Sequence, residues 1–182
     1  ERNRLRGHSD SVYGVAFSPI APSASGQQPL PLIASVSLDG SLNLWHYDGS
    51  LEKTLRPSDQ GQLIDVAFYP RGSQQTKDTD LFMVTGGLGS PLTFWGQNGE
   101  PLFTVPTPGE IFGLDFSPNG QTLATADLGG QVRLWGQDGT ALREFPSHPG
   151  QVWGVSFNPQ NSQLVSVSDE GTVNLWQPDG AN

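Results

Sequence analysis

Residues 41–49 read Ser-Leu-Asn-Leu-Trp-His-Tyr-Asp-Gly, an apolar-polar alternation that ends on Trp45 and runs, three residues on, into Asp48-Gly49. Alternation places Leu42 and Leu44 on one face of a strand and Asn43 and Trp45 on the other. Asp-Gly after such a run marks a tight turn, because the turn requires φ > 0 where Gly costs least. The same sentence returns three times: PLTFW (91–95) before Asn98-Gly99, QVRLW (131–135) before Asp138-Gly139, and TVNLW (172–176) before Asp179-Gly180. The four tryptophans, Trp45, Trp95, Trp135 and Trp176, are spaced by 50, 40 and 41 residues. A period of this size identifies an array of supersecondary units.

Three further strand types accompany the tryptophan strand. VYGVAFSP (12–19), LIDVAFYP (63–70), IFGLDFSP (111–118) and VWGVSFNP (152–159) each end in an aromatic, one residue and proline. Proline cannot donate to a ladder and so terminates the strand. LIASVS (32–37), LFMVTGG (81–87), TLATAD (122–127) and QLVSVS (163–168) lead by short turns into the tryptophan strands, and SLEKTL (50–55), EPLFTV (100–105) and TALREF (140–145) follow them. Four antiparallel strands per repeat make one blade, which buries its faces only by stacking on neighbours. The expectation is one all-β array over 1–182, with repeats 1–49, 50–98, 99–139 and 140–182.

On these residues the chain resembles the WD-repeat β-propeller family throughout its length. Gly7-His8 ahead of VYGVAFSP, the Ser37-Leu38-Asp39-Gly40 turn and Trp45 carry the resemblance, although the Trp-Asp dipeptide is replaced by Trp followed by His46, Gly96, Gly136 or Gln177. The Phe-Ser-Pro and Trp-x-x-Asp-Gly endings resemble those of bacterial, especially cyanobacterial, members. Such members are often appended to signalling ATPases, kinases or caspase-like peptidases. The resemblance implies a structural tetrad of His8, Ser37, Asp39 and Trp45 in the first repeat, and of His148, Ser168, Glu170 and Trp176 in the fourth. The corresponding positions of the middle repeats hold Asp59, Gly87 and Gly89, then Thr107, Asp127 and Gly129, so the network is expected to be absent there.

The resemblance also implies a partner-binding top face. Its candidates are Leu38, Leu88, Leu128 and Asp169 before the turn acid, and Tyr13, Ile64, Phe112 and Trp153 five residues after the histidine position. Ser11, Gln62, Glu110 and Gln151 form the rim. Trp153 stands out because it lies outside the structural tryptophan series and aromatics dominate interaction hot spots. Two long segments, 20–31 and 71–80, are insertions between first and second strands, expected as surface loops on the opposite face.

Composition agrees with many short strands: 23 Gly, 15 Pro and 35% hydrophobic residues over 182 positions. Nine basic against eighteen acidic residues leave a net charge of −9, which disfavours nucleic acid as a partner. Cysteine is absent, so disulfides and thiolate metal sites are excluded. No apolar run is long enough to span a bilayer and the first residues carry no apolar signal core, so no membrane partner and a cytoplasmic location are expected. The three histidines lack metal-ligand spacing, and Gly86-Gly87-Leu88-Gly89-Ser90 lacks the lysine and helix of a phosphate loop. No cofactor and no catalysis are therefore expected.

The functional expectation is a non-catalytic protein-interaction scaffold or sensor within a larger signalling protein, its partner another protein or an adjacent domain. The alternative is a propeller that binds a small ligand or metal ion at Asp65 and Asp115 in its channel, with or without hydrolytic activity. RNRLR (2–6) is expected as a lone fourth strand pairing beside Asn174-Leu175-Trp176. This phase suits a four-blade ring, half of an eight-blade homodimer, or a piece of a longer array, the last being the reading adopted.

Overall fold

The computed structural model describes residues 4–19, 32–57, 61–70 and 81–177. Within them lie fifteen strands and no helix. Blade 1 comprises Val12–Phe17 (β1), Leu32–Ser37 (β2), Leu42–His46 (β3) and Leu51–Leu55 (β4). Blade 2 comprises Gln62–Phe68 (β5), Leu81–Leu88 (β6), Leu92–Gly96 (β7) and Pro101–Val105 (β8). Blade 3 is Ile111–Phe116 (β9), Thr122–Asp127 (β10), Val132–Gly136 (β11) and Ala141–Glu144 (β12), and blade 4 is Val152–Phe157 (β13), Leu164–Ser168 (β14) and Val173–Trp176 (β15). Each blade is a meander in chain order, and every pairing is antiparallel. The strands coincide with the four sequence types. The exception is the lone strand expected at 2–6: residues 4–8 form no strand, and β15 pairs only with β14 among the described residues. The segments 20–31 and 71–80 lie outside the described residues.

Period-2 alternation gives every blade a leading and a trailing apolar face, and the core is built where they meet. Ala34, Val36, Leu42, Leu44 and Leu55 on the trailing face of blade 1 pack on Leu63, Val66, Phe68, Met83 and Trp95 of blade 2. The equivalent sets recur between blades 2 and 3, where Val84, Leu92 and Phe94 meet Ile111, Leu114, Phe116, Leu123 and Trp135. Between blades 3 and 4, Ala124, Ala126, Val132, Leu134 and Phe145 meet Val152, Phe157 and Leu164. Each fully buried Leu, Val or Phe contributes about 1.5–3 kcal/mol. This explains why the hydrophobic residues fall where strands alternate rather than in one central run.

Glycine sets how closely the innermost strands approach. A Cβ on Gly14 would stand 2.7 Å from the carbonyl oxygen of Ile64, and one on Gly113 would stand 2.8 Å from the Cα of Gly154. Blade 2 has Asp65 at this position instead. Its carboxylate accepts the Leu114 backbone N–H at 2.8 Å, tying β5 to β9 directly.

Candidate partner-binding face and its supporting network

One end of the blades carries the turns between second and third strands, and the backbone stitches these turns to the start of each first strand. Leu38 N donates to Ser11 O at 3.0 Å, Leu128 N to Glu110 O at 3.0 Å, and Asp169 N to Gln151 O at 3.1 Å. Gln62 pairs with Leu88 in the ladder of blade 2. The two rows of candidate residues therefore lie side by side on one face.

The third row, Tyr13, Ile64, Phe112 and Trp153, is positioned by a repeated irregularity. The register jumps from Val12↔Ser37 to Gly14↔Val36, from Leu63↔Gly87 to Asp65↔Gly86, from Asp127↔Ile111 to Ala126↔Gly113, and from Val152↔Ser168 to Gly154↔Val167. The residue left without a cross-strand partner is Tyr13, Ile64, Phe112 or Trp153 in turn. A β-bulge re-aims such a side chain out of the pleat. Tyr13 is 57% exposed and Trp153 46%, and Phe112, half-buried, packs edge-on against Trp153 with ring centroids 4.8 Å apart. Leu38, Leu88 and Leu128 are half-buried, as are Gln62 and Gln151, while Glu110 and Asp169 are exposed. Ile64 departs from the expectation: it is only 5% exposed, in the seam where the Gly14 position abuts its backbone, and offers no side chain to a partner.

Beneath this face lies the hydrogen-bond network of blade 1. Trp45 Nε1 donates to Ser35 Oγ at 2.8 Å, and Ser35 Oγ lies 2.7 Å from His8 Nε2. His8 Nδ1 lies 2.9 Å from Ser41 Oγ, which donates to Asp39 Oδ1 at 2.5 Å. Every group is satisfied if Ser35 donates to Nε2 and the imidazole carries its proton on Nδ1. The order is then indole, hydroxyl, imidazole, hydroxyl, carboxylate. Burial pushes the Asp39 carboxyl up, but the Ser41 hydroxyl, the N–H groups of Ser9 and Ser41 and the nearby His8 outweigh it and hold the group well below the usual carboxylate range.

The hydroxyl in this chain is thus Ser35, not Ser37. Ser37 Oγ instead accepts the Asp39 N–H within the turn at 3.1 Å. Trp45 is paired with Ile33 across the ladder, so Ser35 lies one pleat along while Ser37 lies roughly 13 Å along, beyond the indole's reach. Blade 4 repeats the correction. Ser166, not Ser168, receives Trp176 Nε1 at 2.8 Å and stands 2.7 Å from His148 Nε2, while His148 Nδ1 meets Glu170 and Thr172, each at 3.2 Å. Ser168 Oγ only receives the Glu170 N–H in the turn, at 3.5 Å.

The middle blades are not devoid of the network. Trp95 donates to Thr85 at 3.0 Å and Trp135 to Thr125 at 2.9 Å. A Ser or Thr stands ten residues before each tryptophan, a signal present in the sequence. Blade 3 adds an ion pair where histidine is missing: Arg133 binds Asp127 through Nη1 and Glu144 through Nε at 2.9 Å.

Asp65 and Asp115 serve neighbouring strands. Asp65 accepts from Leu114 and Val66 N–H at 2.8 Å each, and Asp115 accepts from Phe157 N–H at 2.7 Å and Ser156 Oγ at 3.3 Å. Burial raises the Asp65 carboxyl to about 6 against these hydrogen bonds, with Asp115 adding repulsion, and burial also raises Asp115. Among the described residues no group of three or more His, Cys, Asp or Glu is placed to hold a metal ion, and no helix is long and apolar enough to cross a membrane.

The family model for the WD domain, G-beta repeat, matches residues 1–46, 99–136 and 139–177. The segment between, 47–98, spans the second tryptophan segment, where Gly87 and Gly89 stand at the turn positions of Ser37 and Asp39. Among solved structures, the crystal structure of the computationally designed Ika4 protein is similar at a TM-score of 0.70 and 22% identity, covering 95% of this chain and 94% of that chain. At that identity the likeness concerns the fold alone. No curated protein sequence matches.

Proposed function

Because the chain belongs to the WD-repeat family, we propose that it is a non-catalytic protein-interaction module whose partner docks on the bulge-bearing end of the blades. WD-repeat domains generally mediate protein–protein interaction, and their propellers are typically scaffolds. The observation that carries the reading here is the exposed Trp153, held edge-on by Phe112 on a bulge. An indole fixed in this way offers apolar area and an N–H donor with little conformational entropy left to lose. Glu110, Gln151 and Asp169 supply a polar rim around it.

The partner we infer is another protein or an adjacent domain of a larger signalling polypeptide, of the bacterial kind that the Phe-Ser-Pro endings suggest, with the cytoplasm as its location. The module acts by presenting a rigid surface, with no bond chemistry. Asp65 and Asp115 support this reading over the ligand-binding alternative, since both carboxylates are occupied by the chain's own N–H donors. The test is site-specific photocrosslinking from residue 153, with residue 142 on the outer strand β12 as control. A discrete adduct from 153 and not from 142 supports the proposal, and equal or absent labelling from both overturns it.

A further inference from the structure

The seam between blades 2 and 3 is built differently from the seams on either side of it. In blades 1 and 3 the turn from second to third strand carries a glycine at positive φ, Gly40 at 76° and Gly130 at 85°, two residues before the buried Leu42 or Val132. A Cβ at these positions would strike the linker to the next blade, 2.6 Å from the Gly61 carbonyl oxygen and 2.5 Å from that of His148. Both turns are thus closed against the following blade. Counting back from Leu92, blade 2 has Ser90 at this position, and a side chain disfavours the left-handed conformation there. The positive φ falls one residue earlier, on Gly89 at 62°, where a Cβ would meet nothing within 4 Å.

The turn of blade 2 therefore stands off from the linker that follows it, and a cavity of about 330 Å³ opens between them. Pro91 on the turn and Pro106 and Pro108 on the linker give it stiff apolar walls. Ser90, also in the lining, is 5% exposed, and its hydroxyl has no hydrogen-bond partner among the described residues. Glu110 is the one charged residue in the described lining; it is exposed and forms no ion pair among the described residues.

One seam earlier the chain fills the corresponding place with an arginine of its own. Leu55 and Val105 hold the same ladder position, opposite Leu42 and Leu92, so Arg56 corresponds to Pro106 and Asp39 to Gly89. The Arg56 guanidinium donates to the Asp39 carbonyl at 2.5 Å and clamps turn to linker. Between blades 2 and 3 proline stands in the place of that arginine, and the carboxylate of Glu110 stands where blade 2 has Gln62, each just before a fully buried Leu63 or Ile111.

We propose that this cavity receives an arginine side chain of the protein partner. Its aliphatic stem lies on the three prolines, and its guanidinium, in the place that Arg56 takes one seam earlier, donates to the Glu110 carboxylate. The Ser90 hydroxyl, held by no partner, is free to turn about χ1 and accept a second bond. A planar, weakly hydrated cation that keeps its charge suits an apolar pocket with a carboxylate on its wall. The net charge of −9 likewise favours a basic segment as the approaching surface. The inference rests on the reading that a protein docks on this end of the blades, and it names a side chain which that partner contributes.

The test is an NMR titration of the 182-residue chain, labelled with nitrogen-15, with Nα-acetyl-arginine methylamide as the probe. Saturable shifts are expected at the amides of Gly89, Ser90 and Glu110, with a dissociation constant on the order of 1 mM or tighter. The citrulline analogue, equal in shape but uncharged, and the variant Glu110→Gln are each expected to weaken binding about tenfold. Glu110→Gln keeps the backbone carbonyl that accepts Leu128 N–H, so its fold is expected to match the parent's. Pro106→Arg, which supplies the arginine from within as at the preceding seam, is expected to abolish probe binding. Shifts that do not saturate, citrulline binding as tightly as arginine, or undiminished binding to Pro106→Arg overturns the site. Because the probe is a single residue, such a failure leaves the Trp153 reading standing, which crosslinking from residue 153 tests by itself.

Discussion

Ser35→Ala is expected to cost far more stability than Ser37→Ala, although both remove one buried hydroxyl from β2. Ser35 Oγ serves two buried partners, Trp45 Nε1 at 2.8 Å and His8 Nε2 at 2.7 Å, and Trp45 is only 2% exposed. Alanine leaves both ring nitrogens unsatisfied, and a buried group without a partner costs about 1–3 kcal/mol, so the pair amounts to roughly 2–4 kcal/mol. Ser37 Oγ accepts one N–H, that of Asp39, in a turn also closed by Gly40 N donating to Ser37 O at 3.1 Å. Its loss is expected to cost less than about 1 kcal/mol. The assay is urea denaturation at one fixed protein concentration, since association would shift apparent stability. Thr85→Val, which keeps the volume and removes only the bond to Trp95, should fall between the two. Equal midpoints for Ser35→Ala and the parent, or a larger loss for Ser37→Ala, would refute the network as drawn.

Gly113→Val should destabilise by about 3 kcal/mol or more, because its side chain must displace the Gly154 backbone rather than a flexible neighbour; a denaturant midpoint within error of the parent would contradict the close approach of β9 and β13. The pH dependence has a definite sign. Asp65 is raised to about 6 in the fold, so its contribution is fully present below the unfolded value near 3.8 and is lost as pH rises through about 6. Stability should therefore increase as pH falls from 7 towards 5, by about 1 kcal/mol, with Asp115 adding in the same direction. Asp65→Asn should flatten that slope, and a parent and variant with the same pH profile would remove Asp65 as its source.

The blades were legible because turn chemistry and alternation agree: Asp48-Gly49, Asn98-Gly99 and Asp138-Gly139 close hairpins, proline ends the first strands, and Leu42, Leu92 and Val132 face inward as period 2 requires. The network was legible only in its ends. His8, Asp39 and Trp45 carry distinctive chemistry, whereas the hydroxyl between them is fixed by ladder register, which turns Ser37 into a turn residue and brings Ser35, Thr85, Thr125 and Ser166 under the indoles. Asp127 shows the same limit, since its ion pair with Arg133 depends on the lateral neighbour across β10 and β11. The bulges were not legible, because one extra residue in a strand leaves composition and alternation nearly unchanged. They decide which residues project from the candidate face, and they leave Trp153 and Tyr13 exposed where Ile64 is sealed in a seam.

The most direct test of the interaction reading is to measure, for Trp153→Ala, both the affinity for the protein captured by crosslinking at that position and the denaturation midpoint. The account predicts that binding weakens by about 30-fold or more, roughly 2 kcal/mol, while stability changes by less than about 1 kcal/mol, as truncating a half-exposed hot-spot aromatic should. Unchanged affinity accompanied by a stability loss of roughly 3–5 kcal/mol, the signature of a core aromatic, would contradict it.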